Sequence, residues 1–333
     1  ALYDADLLGL ARERARDMPP LNSLLAARRG EIVLEEYFRG MRADRAVNVK
    51  SISKTLLSPL VGIAIERGLI TGPEQPLAEL LPDYYRRLEQ AGRLDARKRD
   101  ITLHHLLSMT AGIESTSFGN YGAWVSSRDW VWDQLRRPTV CAPGRCFEYS
   151  TGNTHLLSAI LQRTSGHDLR RFAGEAFFGP LGIRLPEWDR DPQGRYLGGN
   201  NMALRPRDLL GFGQLFLDGG RHEGRQLVPE AWIEASWRPN ATSPWNGHRY
   251  GYLWWMDDWG GERAYFAWGY GGQYIVLVPR LDLVAVVTSA LGARGERGHT
   301  RRLRDFFDEY LIPAFAVDDV RVGAERGGAG GAR

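Results

Sequence analysis

Apolar residues change their period along the chain, and each change marks a different kind of element. Residues 5–18 repeat on a helical period. Two short apolar runs follow, Leu21–Ala27 and Ile32–Phe38, split by Arg28–Arg29–Gly30. Their alternation and the Arg-Gly break predict a β-hairpin. The segment VKSISKTLLSPLVGIAIERGLI, residues 49–70, is again apolar on a helical period. Gly68 is placed as its C-terminal stop, and Pro59 should kink it or weaken one turn.

From about residue 70 to 240 helical spacing prevails, at Ile101–Leu107, His155–Arg163, Asp168–Glu175 and Arg207–Leu217, with long Gly-, Pro- and Trp-rich loops between. Alternation then takes over. Tyr250–Met256, Ala264–Trp268, Gln273–Pro279 and Leu283–Ser289 read as successive strands, rich in Val, Tyr and Trp and broken by Gly, Pro and Asp. A last helix, about Thr300 to Leu311, sets Leu303, Phe306, Phe307 and Tyr310 on one face. The closing GAERGGAGGAR has nothing with which to bury a core and is predicted to be disordered.

Strands at both ends around a helical middle predict an α/β chain of the α+β type. One antiparallel sheet is expected from residues 1–70 and 241–318, flanked by helices, with a mainly helical domain at 71–240 inserted and a flexible tail at 319–333. An active site is expected in the cleft between the two parts.

Composition narrows the function. With 43% apolar and 25% charged residues over 333 positions, the chain is an ordinary globular one. The net charge is only +3, and basic residues are interleaved with acidic ones, as in Arg97–Lys98–Arg99–Asp100. A nucleic-acid footprint needs a concentrated basic stripe, so nucleic acid is not an expected partner. No apolar run reaches the length of a membrane span. Cys141 and Cys146 flank a Pro143–Gly144 turn; they read either as a disulfide clamp or as two loop thiols, because spacing alone does not fix geometry. A clamp, together with a chain that opens on Ala rather than Met, leans towards an extracytoplasmic location. No Cys/His cluster has zinc spacing, so neither a metal nor another cofactor is expected. The sequence carries no signal of oligomeric state.

Three stretches carry chemistry. In Ser51–Ile52–Ser53–Lys54, at a helix start, hydroxyl and amine share one face, so the amine can activate the hydroxyl as a nucleophile. Taken alone, the same four residues read as a helix cap followed by a solvated lysine. The apolar run behind them argues instead for a buried Lys54, whose amine would be a stronger candidate base. In Tyr149–Ser150–Thr151–Gly152–Asn153, ahead of the His155 helix, a phenol beside a lysine ammonium has reason to ionise and to relay a proton. In Ala267–Trp268–Gly269–Tyr270–Gly271–Gly272–Gln273, glycines permit close backbone approach, and a free N–H there can complete an oxyanion hole. The alternatives are a tyrosine packed on a cleft wall and a tight turn between strands.

These elements, in this order and separation, resemble the active-site motifs of the serine β-lactamase and penicillin-binding-protein superfamily. The nearer likeness is to the class C β-lactamase-like esterases and amidases, including 6-aminohexanoate-dimer hydrolases. It extends over about residues 20 to 295 and includes ITLHHLLSMTAG at 101–112, FEYSTGNTHLLSAIL at 147–161, FFGPLGI at 177–183 and ALRPRDLLGFGQLFLDGG at 203–220. The resemblance implies a β-lactamase/transpeptidase-like fold. It implies Ser51 as nucleophile, Lys54 as its base and Tyr149 as the group that protonates the leaving group. It also implies an oxyanion hole from the N–H groups of Ser51 and Tyr270. Thr151, Asn153, Trp268, Gly269, Gly271 and Tyr121 are the expected substrate contacts, with Trp124, Trp130 and Trp254 as further aromatic candidates for the cleft.

Two departures direct the substrate expectation. Ala267 stands where the third motif usually carries Lys or His, and Thr151 where many relatives have Asn. Both turn the reading towards a small-molecule ester or linear amide. A β-lactamase or D-alanyl-D-alanine carboxypeptidase is the alternative on the same scaffold, and a non-catalytic binding protein the alternative from another class. His104, His105 and His155 lie on predicted helices as packed or solvent-facing residues rather than catalytic ones, and no Gly-x-Ser-x-Gly elbow supports a Ser-His-Asp hydrolase.

Overall fold

The computed structural model describes residues 1–317; the predicted tail, residues 319–333, lies outside the described residues. The chain starts with α1 (Ala5–Arg16), capped by the Asp4 carboxylate, which accepts from the N–H groups of Asp6 and Leu7. The hairpin strands β1 (Leu21–Arg28) and β2 (Glu31–Tyr37) follow. Arg29 and Gly30 between them both have positive φ, 53° and 77°, the pair of left-handed residues that a two-residue turn needs to match strand twist.

α2 (Ile52–Glu66) comes next, and every residue from Ile52 to Ala64 is buried. A mainly apolar helix buried on every side belongs in the middle of a protein, and α2 packs between the sheet and α3 (Thr151–Ser165). The helix runs on through Pro59, and Gly68 sits just past its end at φ 74°, as a C-terminal stop should. The middle of the chain is short helices and long loops. Among them α4 (Pro206–Leu217) packs on the sheet.

The second half adds β3 (Ala241–Thr242), β4 (Arg249–Tyr250), β5 (Trp255–Trp259), β6 (Glu262–Gly269), β7 (Gln273–Val278) and β8 (Leu283–Ser289). Together they form one sheet in the order β2-β1-β8-β7-β6-β5-β4-β3, antiparallel throughout. The N-terminal hairpin is thus joined to the C-terminal strands through β1 and β8, a pairing of residues more than 250 apart in sequence (Leu21 with Ser289). β7 and β8 are buried at every position, which is why they read as continuous apolar runs rather than as alternating ones. The single strand expected at Tyr250–Met256 is two, because the chain loops at Gly251–Trp254 and Leu253 adopts a left-handed φ of 67°. α5 (His299–Phe306) continues as helical turns to Phe315, beyond the expected end at Leu311, and packs with α1. Among the described residues no helix is long and apolar enough to cross a membrane.

Candidate active site

Three chain ends converge on one place. These are the N-terminus of α2, the segment entering α3, and the turn 269–272 between β6 and β7. Ser51 is the residue before α2, and its side chain makes no capping hydrogen bond. Its Oγ instead lies 2.9 Å from Lys54 Nζ, so the reading of Ser51 as a mere helix cap is set aside. The residue before it, Lys50, has φ 49°, a left-handed conformation that a side-chain-bearing residue seldom adopts. Its N–H is held by Asn48 Oδ1 at 2.8 Å. Backbone strain of this kind gathers at functional sites.

Lys54 is 1% exposed. Burial alone lowers its amine to about 7, so the uncharged form is within reach near neutral pH. Gly199 fixes the other side of the amine, its carbonyl 2.9 Å from Nζ. Gly199 has φ 104°, and a Cβ there would fall 2.1 Å from Thr154 Oγ1 and 2.9 Å from Lys54 Cγ. Only glycine lets this carbonyl approach. The segment is tied to α3: Gly198 donates its N–H to His155 Nδ1 at 3.1 Å, and Thr154 donates to Gly198 O at 2.9 Å. His155 is fully buried, and its Nε2 pairs with Asp191 at 2.9 Å. It is a packing and anchoring residue, as its helical position suggested.

Tyr149 sets its ring 4.9 Å from Lys54 Nζ. Burial pushes its phenol far above the usual range, against a smaller downward pull from a hydrogen bond with Ser51. The expectation of an ionised tyrosine is therefore corrected. Desolvation opposes the phenolate and also weakens the positive charge on Lys54, so the phenol stays protonated. The segment is pinned by residues 115–117. Ser115 donates to Tyr149 O, Ser117 Oγ accepts from Thr151 N at 2.6 Å, and Thr116 Oγ1 accepts from Gly152 N at 2.9 Å. These hydroxyls satisfy N–H groups at the start of α3 that Ser150 does not cap. The loop ahead of Tyr149 is closed by a disulfide between Cys141 and Cys146, Cα atoms 6.4 Å apart. That decides between clamp and free thiols.

Above Ser51 opens a cavity of about 590 Å³. Tyr149, Trp255, Trp268, Trp245, Phe118 and Tyr270 give it an aromatic wall, and Gly269 and Gly271 line it by backbone. Among the described residues, neither Ser51 nor Tyr270 donates its N–H to a loop or turn carbonyl. A Cβ on Gly269 would stand 2.4 Å from Val49 O and 3.2 Å from Lys50 Cβ, so β6 lies directly on the backbone that precedes Ser51. Gly269→Ala should pry these apart and lower kcat/KM roughly tenfold or more, through a misplaced Tyr270 N–H. Ester turnover measured beside a melting curve checks it; unchanged turnover in a folded variant would refute the close-approach argument.

Other expected contacts lie elsewhere. Asn153 is fully buried and accepts from Gln134 Nε2 at 3.1 Å, so it cannot meet a ligand without rearrangement. Thr151 is 4% exposed and stands behind Ser117, 2.8 Å from its Oγ. Tyr121 is bonded to Asn200 at 3.0 Å and packs with Trp124, Trp130 and Leu197 in a separate cluster. Trp254 is buried against Phe212 and Phe216, and its neighbour Trp255 faces the cavity instead. Ala267 is buried in the core, so no cation stands at that point of the strand. The sequence reading missed Ser117, Phe118, Trp245, Trp255 and the lip residues Glu296, Arg297 and Thr300. The one signal was aromatic residues inside polar loops: Phe118 and Trp245 are each 54% exposed and meet edge to face at 4.9 Å.

Comparison with known proteins gives the family and the fold. The family model described as Beta-lactamase matches residues 20–307. The 6-aminohexanoate-dimer hydrolase of Paenarthrobacter ureafaciens is 28% identical over 287 residues, 79% of this chain and 71% of that protein. Among solved structures, a D-stereospecific amidohydrolase from Streptomyces sp. superposes with a TM-score of 0.69 at 17% identity, over 89% of this chain and 98% of that one. EstCE1, a hydrolase with promiscuous acyltransferase activity, superposes with a TM-score of 0.70 at 17% identity, over 90% and 98%. At such identities these structures establish the shared fold.

Proposed function

The chain belongs to the β-lactamase family of hydrolases, and we propose that within it this protein hydrolyses small carboxylic esters or linear amides through an acyl-enzyme on Ser51. The observation that carries the reading is the 2.9 Å contact between Ser51 Oγ and a buried Lys54 amine lowered to about 7, at the floor of an aromatic cavity. In its neutral form the amine has a lone pair for the serine proton while one N–H stays on Gly199 O. Ser51 Oγ then attacks the substrate carbonyl, and the N–H groups of Ser51 and Tyr270 receive the developing oxyanion. Tyr149, protonated and beside both groups, hands a proton to the departing alcohol or amine. Water enters by the same route in reverse and releases the acid.

The substrate class follows from the wall. An aromatic cavity without a strand cation at Ala267 suits a neutral acyl group better than the carboxylate-bearing core of a β-lactam. The 6-aminohexanoate-dimer hydrolase acts, by its name, on a linear amide dimer, which lends support to the linear-amide side of the proposal.

The pH profile tests the base. Acylation needs Lys54 uncharged, so below about 7 the protonated amine removes active enzyme. The logarithm of kcat/KM for an uncharged ester should rise with unit slope up to about pH 7 and then level. Because Tyr149 holds its proton far above the usual range, no fall should follow within the ordinary assay range. A flat profile between about pH 5 and 9 would rule out Lys54 as the titrating base.

A further inference from the structure

The turn 269–272 bears the Tyr270 N–H and lines the cavity, yet nothing in it is held by regular strand pairing beyond Gly269 and Gln273. What fixes it lies behind. Ser289, the last residue of β8, donates its hydroxyl to Gly272 O at 2.8 Å. The same Oγ is 2.9 Å from His299 Nε2, at the first residue of α5. A serine hydroxyl has one proton, already given to Gly272 O, so His299 must supply the proton of the second bond. Nε2 therefore carries a hydrogen, and the neutral tautomer with a bare Nδ1 is the form that burial favours. That agrees with Nδ1 being buried without a partner, and with burial lowering this histidine to about 4.

Around this chain the packing has no slack. His299 is 1% exposed and Ser289 is 7% exposed. Gly272 has φ 100°, and a Cβ on it would fall 2.7 Å from His299 Cδ2 and 2.8 Å from Leu303 Cδ1. Gln273 closes the arrangement. Its amide donates to Ser289 O at 2.9 Å, its Oε1 accepts from Ser289 N at 2.9 Å, and it reaches Tyr270 O at 3.4 Å. Three and two residues before His299, Glu296 and Arg297 line the cavity mouth, and Thr300 follows it directly.

We infer that Ser289 and His299 are positioning residues for the oxyanion hole: the relay His299–Ser289–Gly272 sets the height of the 269–272 turn and so aims the Tyr270 N–H at the reacting carbonyl. Neither touches substrate. Their effect belongs to the transition state, because an oxyanion donor moved by a fraction of an ångström still leaves the aromatic wall able to bind the ground state. The inference rests on the proposed acyl-enzyme chemistry.

The test compares Ser289→Ala and His299→Leu, which break the relay, with His299→Gln, whose amide N–H can stand where Nε2–H does. Three quantities are read: the acylation rate with a nitrophenyl ester, KM, and the inhibition constant of phenylboronic acid, whose serine adduct places an oxygen where the oxyanion forms. Ser289→Ala and His299→Leu should acylate roughly tenfold to a hundredfold more slowly, with KM within about twofold and boronate inhibition weakened in step. His299→Gln should recover most of the rate. Melting curves check the fold, and if Ser289→Ala melts below the assay temperature the His299 pair alone decides. Wild-type acylation rates in folded relay variants, a loss confined to KM, or a slow His299→Gln that melts like wild type would each overturn the inference. Labelling of the wild type by a fluorophosphonate separates the two levels. If the wild type takes no label, the acyl-enzyme reading itself fails; if it labels normally and the variants acylate at the wild-type rate, only the relay is wrong.

Discussion

Lys54→Met should abolish ester hydrolysis and at the same time make the protein harder to unfold. The first half follows because Ser51 Oγ has Lys54 as its only basic neighbour at hydrogen-bond distance among the described contacts, and an unassisted serine is a weak nucleophile at neutral pH. A loss of at least about a thousandfold in acylation is expected. The second half follows from the sign of the lysine's shift. The folded protein holds the amine near 7, whereas an unfolded chain holds it near the ordinary 10.4. Between those values the unfolded chain binds a proton that the folded one gives up, so this site opposes folding. The opposition is full below about pH 7, amounts there to roughly 4 kcal/mol, and fades as pH rises towards 10. Methionine fills a similar volume without charge but leaves Gly199 O without its donor, at about 1–3 kcal/mol. A net gain of about 2 kcal/mol near pH 7 should remain. Urea unfolding of both proteins across pH checks it. The gap should be full at and below about pH 7 and shrink towards pH 10; a variant less stable at pH 7, or one that still turns over, would contradict the assignment.

Ser51→Ala should remove turnover as completely, with no such change in stability. The hydroxyl caps nothing, so α2 loses no hydrogen bond to its own backbone when the oxygen goes. A thousandfold to millionfold loss in kcat is the scale for deleting a nucleophile, with the oxyanion hole and binding supplying what remains. A fluorophosphonate should add its mass to the wild-type chain and not to the variant. Labelling that persists would place the nucleophile on another serine, with Ser117, also in the cavity wall, first to be examined.

How much of this was written in the sequence differs from residue to residue. Ser51 and Lys54 were legible because helical geometry alone puts residues three apart on one face. Tyr149 and the 269–272 turn were legible as motifs and as a family likeness. The sheet was legible at its two ends, since Leu283–Ser289 and the hairpin carry their own periodicity. That β1 pairs with β8, and in which register, is a long-range fact that no local periodicity carries. Gly199 was invisible because it reaches Lys54 across 145 positions and its part is played by a carbonyl. The choice of Trp255 over Trp254 for the cavity hangs on where β5 begins, and a slip of one residue reverses a side chain's face. Asn153 and Thr151 were drawn in by the motif, yet their place in the first turn of α3 turns them to the interior, where Gln134 and Ser117 meet them. Tyr149's protonation was misread because charge proximity was weighed without the desolvation that burial adds.

The most direct test sets hydrolysis of a short-chain nitrophenyl ester against that of a chromogenic cephalosporin, with Ser51→Ala as the blank for each. The account predicts ester cleavage that vanishes in the variant and a kcat/KM for the ester well above that for the cephalosporin. Cephalosporin turnover exceeding that of the ester would contradict it, since the cavity would then be holding a carboxylate without a cation at Ala267 of the strand.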